Sequence, residues 1–268
     1  MTIATLTSER RTAIVAQTWA MSKRAIMALA RQPATVIPSL VFPLFFVALG
    51  TAAFGRAVRL PNFPKVDSFL DFALAGSIIQ GVLFGSINSA AALATDIETG
   101  FFDRLLASPT SRVSILVSRL AGAMTYAGVQ TVVFIAVLLP FGLTVRAGPV
   151  GALVMIVGGM LTALAVGGLM SAMAIRTGSA EAVQGAFPLL FILLFLSSAF
   201  FPRQTMSGAY SRIADVNPVS HLVEGFRDLT IDGLSWSAVA RTLLISGAMA
   251  VVAMAIALRS LRKRIAAR

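Results

Sequence analysis

Cysteine is absent from this 268-residue chain, which excludes disulfides, thiolate metal sites and thiol nucleophiles within it. Charge is scarce as well. Only 12% of residues are charged, about half the 25% of an ordinary globular domain, so the solvating surface of a soluble or disordered protein is missing. Lysine is rarer still: Lys23, Lys65 and Lys263 follow Ser22, Pro64 and Arg262. No Gly-Lys pair is therefore present to cradle phosphates in a P-loop, and nucleotide hydrolysis by that route is excluded. The nearest approach to a G-x-S-x-G nucleophile motif, Gly233-Leu234-Ser235-Trp236-Ser237, lacks its last glycine. The single histidine, His221, lies outside the apolar runs and reads as a hydrogen-bonded structural residue rather than a base or metal ligand. No catalytic set and no metal site assembles, so the chain is read as a non-enzyme without a cofactor of its own.

What is present is apolar. Hydrophobic residues make up 57% of the chain and the mean hydropathy is +0.86, which predicts an all-α integral membrane protein. Six transmembrane helices are expected, over about 36–54, 72–95, 115–141, 150–175, 183–201 and 239–258, each near the roughly 20 residues a bilayer requires. Residues 1–35 hold no long apolar run. They carry Trp19, Lys23, Arg24 and Arg31 at near-helical spacing with apolar neighbours, which predicts an amphipathic helix lying at the interface. A cleavable signal peptide would place its apolar stretch directly after a short basic region, and here it comes far later. Residues 259–268 form a basic tail.

All eleven acids fall outside the predicted spans, whereas a proton- or sodium-driven carrier usually keeps an ionisable residue inside one. The formal charge of +11 sits between apolar runs rather than on a soluble face, so it is read as topology and lipid contact, not nucleic-acid binding. Placing the N-terminus in the cytosol puts fourteen of the 22 basic residues on that side. The cluster Arg259, Arg262, Lys263 and Arg264 beside the last span weighs most in this assignment. Both termini are expected to be cytosolic.

Two segments between spans stand out. Residues 96–112 hold Asp96, Glu98, Gly100, Phe101, Asp103, Arg104, Leu105, Leu106, Pro109 and Arg112. Phe101, Leu105 and Leu106 fall on one face of a short helix, which Pro109 stops; it is either a helix for a partner's groove or a solvated loop. Residues 202–238 are too broken for a span and too apolar for an open loop. They include Asn217, Pro218, Glu224 and Arg227, with the last two at i, i+3 and able to pair. A re-entrant helical hairpin before the last span is expected, with a plain external loop as the alternative. Within span two, Gly81, Gly85 and Ser89 form a small-residue face for close helix packing.

The 96–112 stretch resembles the E-x-G-x-x-x-R-L-L-x-x-P-x-S-R connector of bacterial type 2 ABC-exporter permeases, and 217–227 resembles their N-P-x-x-x-x-x-E-x-x-R motif. The order of elements matches too. The wording Gly100-Phe101-Phe102-Asp103-Arg104-Leu105-Leu106-Ala107-Ser108-Pro109 is most similar to the daunorubicin-resistance group of drug and lipid exporters. Asp96-Ile97-Glu98 departs from the denser charged run of many relatives. The resemblance implies a transport subunit of the bacterial cytoplasmic membrane that pairs with a second permease copy or paralogue and sits on two ABC ATPase subunits, which bind ATP and Mg. The connector would be the ATPase-coupling helix, supported by the N-terminal helix. The substrate path would be lined by spans one, two and five, here Phe42, Phe45, Phe46, Phe84, Asn88, Phe187, Phe191 and Phe195. An amphiphilic drug-like or lipid substrate is expected. A polysaccharide or lipid-linked glycan is the alternative, disfavoured because only two tryptophans and two tyrosines are available to ring a glycan tunnel.

Overall fold

A computed structural model of the chain describes residues 19, 20, 22, 23, 27, 33–60, 63–107 and 112–266. All regular elements among them are helical. In chain order they are α1 (Pro33–Phe54), α2 (Phe69–Glu98), α3 (Phe101–Ala107), α4 (Arg112–Leu138), α5 (Gly148–Thr177), α6 (Ala180–Gln184), α7 (Phe187–Phe195), α8 (Gly208–Val216), α9 (Pro218–Ile231) and α10 (Trp236–Ala266). Five stretches among the described residues are long and apolar enough to cross a membrane: Val36–Phe54, Phe69–Glu98, Ser114–Phe141, Gly148–Thr177 and Trp236–Ala266.

The run expected as a single span over 183–201 is interrupted. Ala180–Phe195 is a shorter apolar stretch of about 24 Å at 1.5 Å per residue, less than the roughly 30 Å hydrocarbon core. Gly185 closes α6, and α7 restarts with a proline in its first turn, where the missing N–H is tolerated. After Phe195 the helix stops. Ser197 Oγ turns back to donate to the Leu194 carbonyl and accepts from the Ala199 N–H at 3.2 Å, and such local side-chain bonds compete with helix continuation.

Burial puts α2 at the centre: 83% of its most apolar window is buried, against 17% for α1 and 22% for α10. Its packing against α4 rests on missing side chains, because a Cβ at Gly81 would lie 2.3 Å from Gln130 Nε2 and one at Gly85 2.6 Å from the Tyr126 ring. The small-residue face is thus a helix–helix contact. The Tyr126 hydroxyl in turn hydrogen-bonds Ser39 of α1.

Helix α10 is built inside out by the standards of a soluble protein. Its buried stripe is Ala238, Thr242, Ser246, Ala250, Ala253, Ala257 and Ser260 with Leu261, while Leu244, Val251 and Val252 face outward, 59–71% exposed. Small residues bring α10 against α5, where a Cβ at Gly168 would stand 3.3 Å from the Ala253 backbone. Large apolar residues outside and small ones inside is the arrangement that lipid, not water, favours. The hydroxyls of Thr242 and Ser246 are satisfied within the helix, at the Ala238 and Thr242 carbonyls.

Candidate functional site

One end of the bundle carries the connector. Helix α2 closes at Thr99, and Gly100 turns the chain with φ +70°, a left-handed conformation that glycine adopts without a Cβ penalty. The turn sets α3 across the end of the bundle. Phe102 is the residue α3 buries: it is 3% exposed in a cluster with Ile97, Ile115, Ile175, Val183 and Leu261. Leu105 and Leu106 pack against the same cluster as half-buried residues. The expected face of Phe101, Leu105 and Leu106 is therefore divided. Phe101 lies half-exposed beside the Arg104 guanidinium, 5.8 Å from its ring centre, and Arg104 is exposed. Asp103 is half-buried.

The carboxylates flanking Gly100 bind within the chain. Asp96 pairs with Arg119 of α4. Glu98 Oε1 accepts from the Ala180 N–H at 2.7 Å, capping the first turn of α6, which Ser179 Oγ also caps at Ala182. At the same end Arg264 of α10 donates to the Ile175 carbonyl at 2.9 Å, and Arg176 Nε donates to Ser260 Oγ at 3.0 Å. Arg112 opens α4, and Pro109 lies outside the described residues. Of the predicted N-terminal helix, Trp19 and Lys23 are helical and exposed, while Arg24 and Arg31 also lie outside the described residues.

At the other end the Asn-Pro motif acts as a latch on the interrupted helix. Asn217 Oδ1 accepts from the Val219 N–H at 2.9 Å as the N-cap of α9, and Pro218 follows at the first helical position. The same side chain reaches outward: Asn217 Nδ2 donates to the Leu193 carbonyl at 2.7 Å. The hydroxyl of Tyr210, from α8, donates to the Phe195 carbonyl at 2.7 Å. Arg227 Nη2 donates to the Ser198 carbonyl at 2.8 Å and lies 3.4 Å from that of Ala199. Carbonyls freed by the end of α7 thus find partners on α8 and α9, the condition for non-helical backbone among apolar helices. Gly76 of α2 admits the bend, since a Cβ there would lie 2.7 Å from the Ala199 carbonyl oxygen.

Glu224 and Arg227 do not form the expected pair. Glu224 accepts two hydrogen bonds from Arg203 Nη1 at 2.8 and 2.9 Å, and Arg203 also bonds Asp215. Burial works against the Arg203 charge, but the two carboxylates outweigh it and hold the guanidinium above its usual pKa. Arg227 instead points inward, its guanidinium carbon 3.9 Å from the centre of the Phe72 ring. Arg203 drew no attention in the sequence because its partners are 12 and 21 residues away. His221 Nε2 meets the Asp215 carbonyl at 3.0 Å, in keeping with a structural histidine.

Between the ends runs an aromatic ridge. Phe42 contacts Phe46 and Phe84 at 5.0 and 5.3 Å between ring centres, and Phe45 contacts Phe46 at 6.0 Å. Phe84 stacks on Phe187 at 5.1 Å, and Phe187, Phe191 and Phe195 follow at 5.5 and 4.8 Å. Phe46 touches Phe191, joining α1 to α7. Seven of the eight residues expected on the path therefore form one continuous surface. Asn88 lies a turn further along α2, exposed and outside the ring contacts.

A family model for the ABC-2 type transporter matches residues 16–231, a range that includes the connector, the ridge and the Asn-Pro latch. The chain belongs to the ABC-2 type transporter family. This ABC-2 permease is 29% identical over 248 residues to the daunorubicin resistance ABC transporter permease protein DrrB1 of Streptomyces coeruleorubidus, covering 90% of this chain and 84% of that one. It is 31% identical to the transport permease ycf38 of Pyropia yezoensis, over 81% of this chain and 75% of that protein. It is 24% identical to a doxorubicin resistance ABC transporter permease of Mycobacterium tuberculosis, over 82% and 78% of the two chains. The permease is a multi-pass membrane protein, and membership of the family implies association with an ABC ATPase subunit.

Proposed function

We propose that this permease is the membrane subunit of an ATP-driven exporter in the bacterial cytoplasmic membrane, moving an amphiphilic drug-like or lipid substrate outward. Two separate ATPase subunits bind ATP with magnesium and supply the energy, and this chain has no catalytic site. The observation that carries the reading is the tie at the connector end. Glu98 caps α6, and α6 passes through Gly185 and Ala186 into α7, which bears three of the seven ridge phenylalanines. A displacement of α3 by a docked ATPase, passed on through this tie and through Phe102 packed in one cluster with Val183 of α6, is delivered to the substrate-facing helix. Similarity to daunorubicin and doxorubicin resistance permeases supports the substrate class.

In this arrangement 96–112 is the docking segment, with Asp96, Glu98 and Gly100 shaping it, and Phe101, Asp103 and Arg104 facing the ATPase. Leu105 and Leu106 pack it against the bundle, and the segment is taken to run on through Pro109 to Arg112. The N-terminal amphipathic helix around Trp19, Lys23, Arg24 and Arg31 lies alongside. Both termini are cytosolic, and α6–α7 with the latched α8–α9 hairpin, re-entrant from the outside, completes a six-passage topology. A second copy or paralogue pairs across the ridge. The test is co-expression with a candidate ATPase. Phe101→Ala combined with Arg104→Ala removes an interface anchor worth about 2 kcal/mol, roughly thirtyfold in affinity, so the ATPase should no longer co-purify. Arg59→Ala, at the opposite end, should retain it. Full co-purification and hydrolysis with the double variant would show that 96–112 is only a connecting loop.

A further inference from the structure

A hollow of about 190 Å³ lies between α1, α2 and the bend after α7, with Phe46, Phe69, Phe72, Phe195 and Phe200 among its walls. Its cause is legible on α2: Ala73, Gly76, Ser77 and Gln80 line it at i, i+3, i+4 and i+7, so one helix face offers small side chains where its neighbours offer rings. That face ends on an amide. Gln80 is 1% exposed, and neither its Nε2 nor its Oε1 has a hydrogen-bond partner among the described residues. A buried amide without partners is costly, and such a group in a transporter needs a physical reason. Gln130 of α4 is half satisfied by comparison: its Nε2 donates to the Ile78 carbonyl at 3.1 Å, while its Oε1 also has no partner among the described residues.

We infer that this hollow is a ligand subsite for one apolar ring or chain segment bearing a single hydrogen-bonding oxygen, and that Gln80 is the residue that reads that oxygen. The size fits a fragment: a dry apolar cavity of about 150 Å³ accepts a benzene ring, whereas whole drug-sized ligands require about 300 Å³ or more. The remainder of a larger amphiphile would lie along the adjoining ridge, to which the hollow connects through Phe46 and Phe195. The subsite rests on the transport reading for its role as part of the substrate path, but not for its ability to bind. Two sources share the chemistry, a free amphiphile with a ketone or hydroxyl and a membrane lipid with an ester carbonyl.

The test uses the full chain in lipid nanodiscs without any ATPase, so that binding is scored apart from transport. The probes are an acylated aminonaphthalene dye, whose ketone reports hydrogen bonding by its emission, and the same ring with the ketone reduced to methylene. The wild-type chain should bind the ketone about tenfold more tightly than its methylene analogue, the order expected when a buried amide is left unpaired. Gln80→Leu, which keeps most of the volume, should equalise the two probes, and Ala73→Phe, which fills the hollow, should abolish both. Displacement of the dye in ester-lipid but not ether-lipid nanodiscs identifies the lipid as the occupant; equal binding in both identifies the free amphiphile. Equal affinity of the two probes for the wild-type chain overturns the inference, whatever the variants do. No discrimination by the wild-type chain, together with intact ATPase-dependent export, would sink the subsite alone. Normal discrimination without export would sink the transport reading alone.

Discussion

Arg227 shows how much one side chain holds at the end of this permease. Buried to 8% exposure, it stacks on Phe72 of α2 and donates to the Ser198 carbonyl, so three segments distant in sequence meet on its guanidinium. Arg227→Ala would leave that carbonyl buried and unpaired and remove the ring contact. Hydrogen bonds to charged groups contribute about 1.5–3 kcal/mol and a desolvated cation–π contact about 2. We expect a clear loss of thermal stability of the detergent-purified protein, with Arg227→Lys recovering only part of it, because a point charge cannot both stack and donate in a plane. A melting temperature unchanged within a degree would show that the latch is decorative. The sequence marked Asn217, Pro218, Glu224 and Arg227 as unusual. It did not reveal their partners, because a side-chain bond to a backbone carbonyl 24 or 29 residues away leaves no residue-type signature.

At the scale of elements, α3 separates two neighbouring phenylalanines by burial. Phe102 is buried against α2, α4 and α10, whereas Phe101 stays half-exposed. Phe102→Ala should cost about 3–5 kcal/mol as a large-to-small core change, visible as reduced expression or a lowered unfolding midpoint. Phe101→Ala should leave folding intact and weaken ATPase binding instead. Equal effects of the two on stability would contradict the orientation of α3. Helical periodicity alone chose Phe101 with Leu105 and Leu106, since a seven-residue helix offers too few turns to show which side the bundle covers. The interruption near 185 and 195 was hidden for a related reason: hydropathy counts apolar residues, and Ala180–Phe195 remains apolar through its break.

Across the whole molecule, function divides between this chain and what it docks. The purified permease should show no ATP hydrolysis until an ATPase is added, given the absence of a Gly-Lys phosphate loop. Sustained hydrolysis by the chain alone, abolished by a substitution within it, would overturn this. Reporters fused to either end should both be active in the cytosol, since the basic clusters flank the first and last apolar helices.

Too few charges to face water, apolar runs of bilayer length and turn residues between them already pointed to an all-α membrane protein, and every regular element among the described residues is helical. Local patterns also exposed the connector, the Asn-Pro motif and the phenylalanine spacing on α1 and α7, because each arises from neighbours along the chain. Tertiary structure decided the rest. It directed Glu98 to the α6 terminus, moved the Glu224 partner to Arg203, buried Phe102, gathered separate phenylalanines into one ridge and left Gln80 alone in a hollow. These outcomes depend on which helices pack together, and that is settled by small residues such as Gly81, Gly85 and Ala253, which let backbones approach but carry no label naming the helix they will meet.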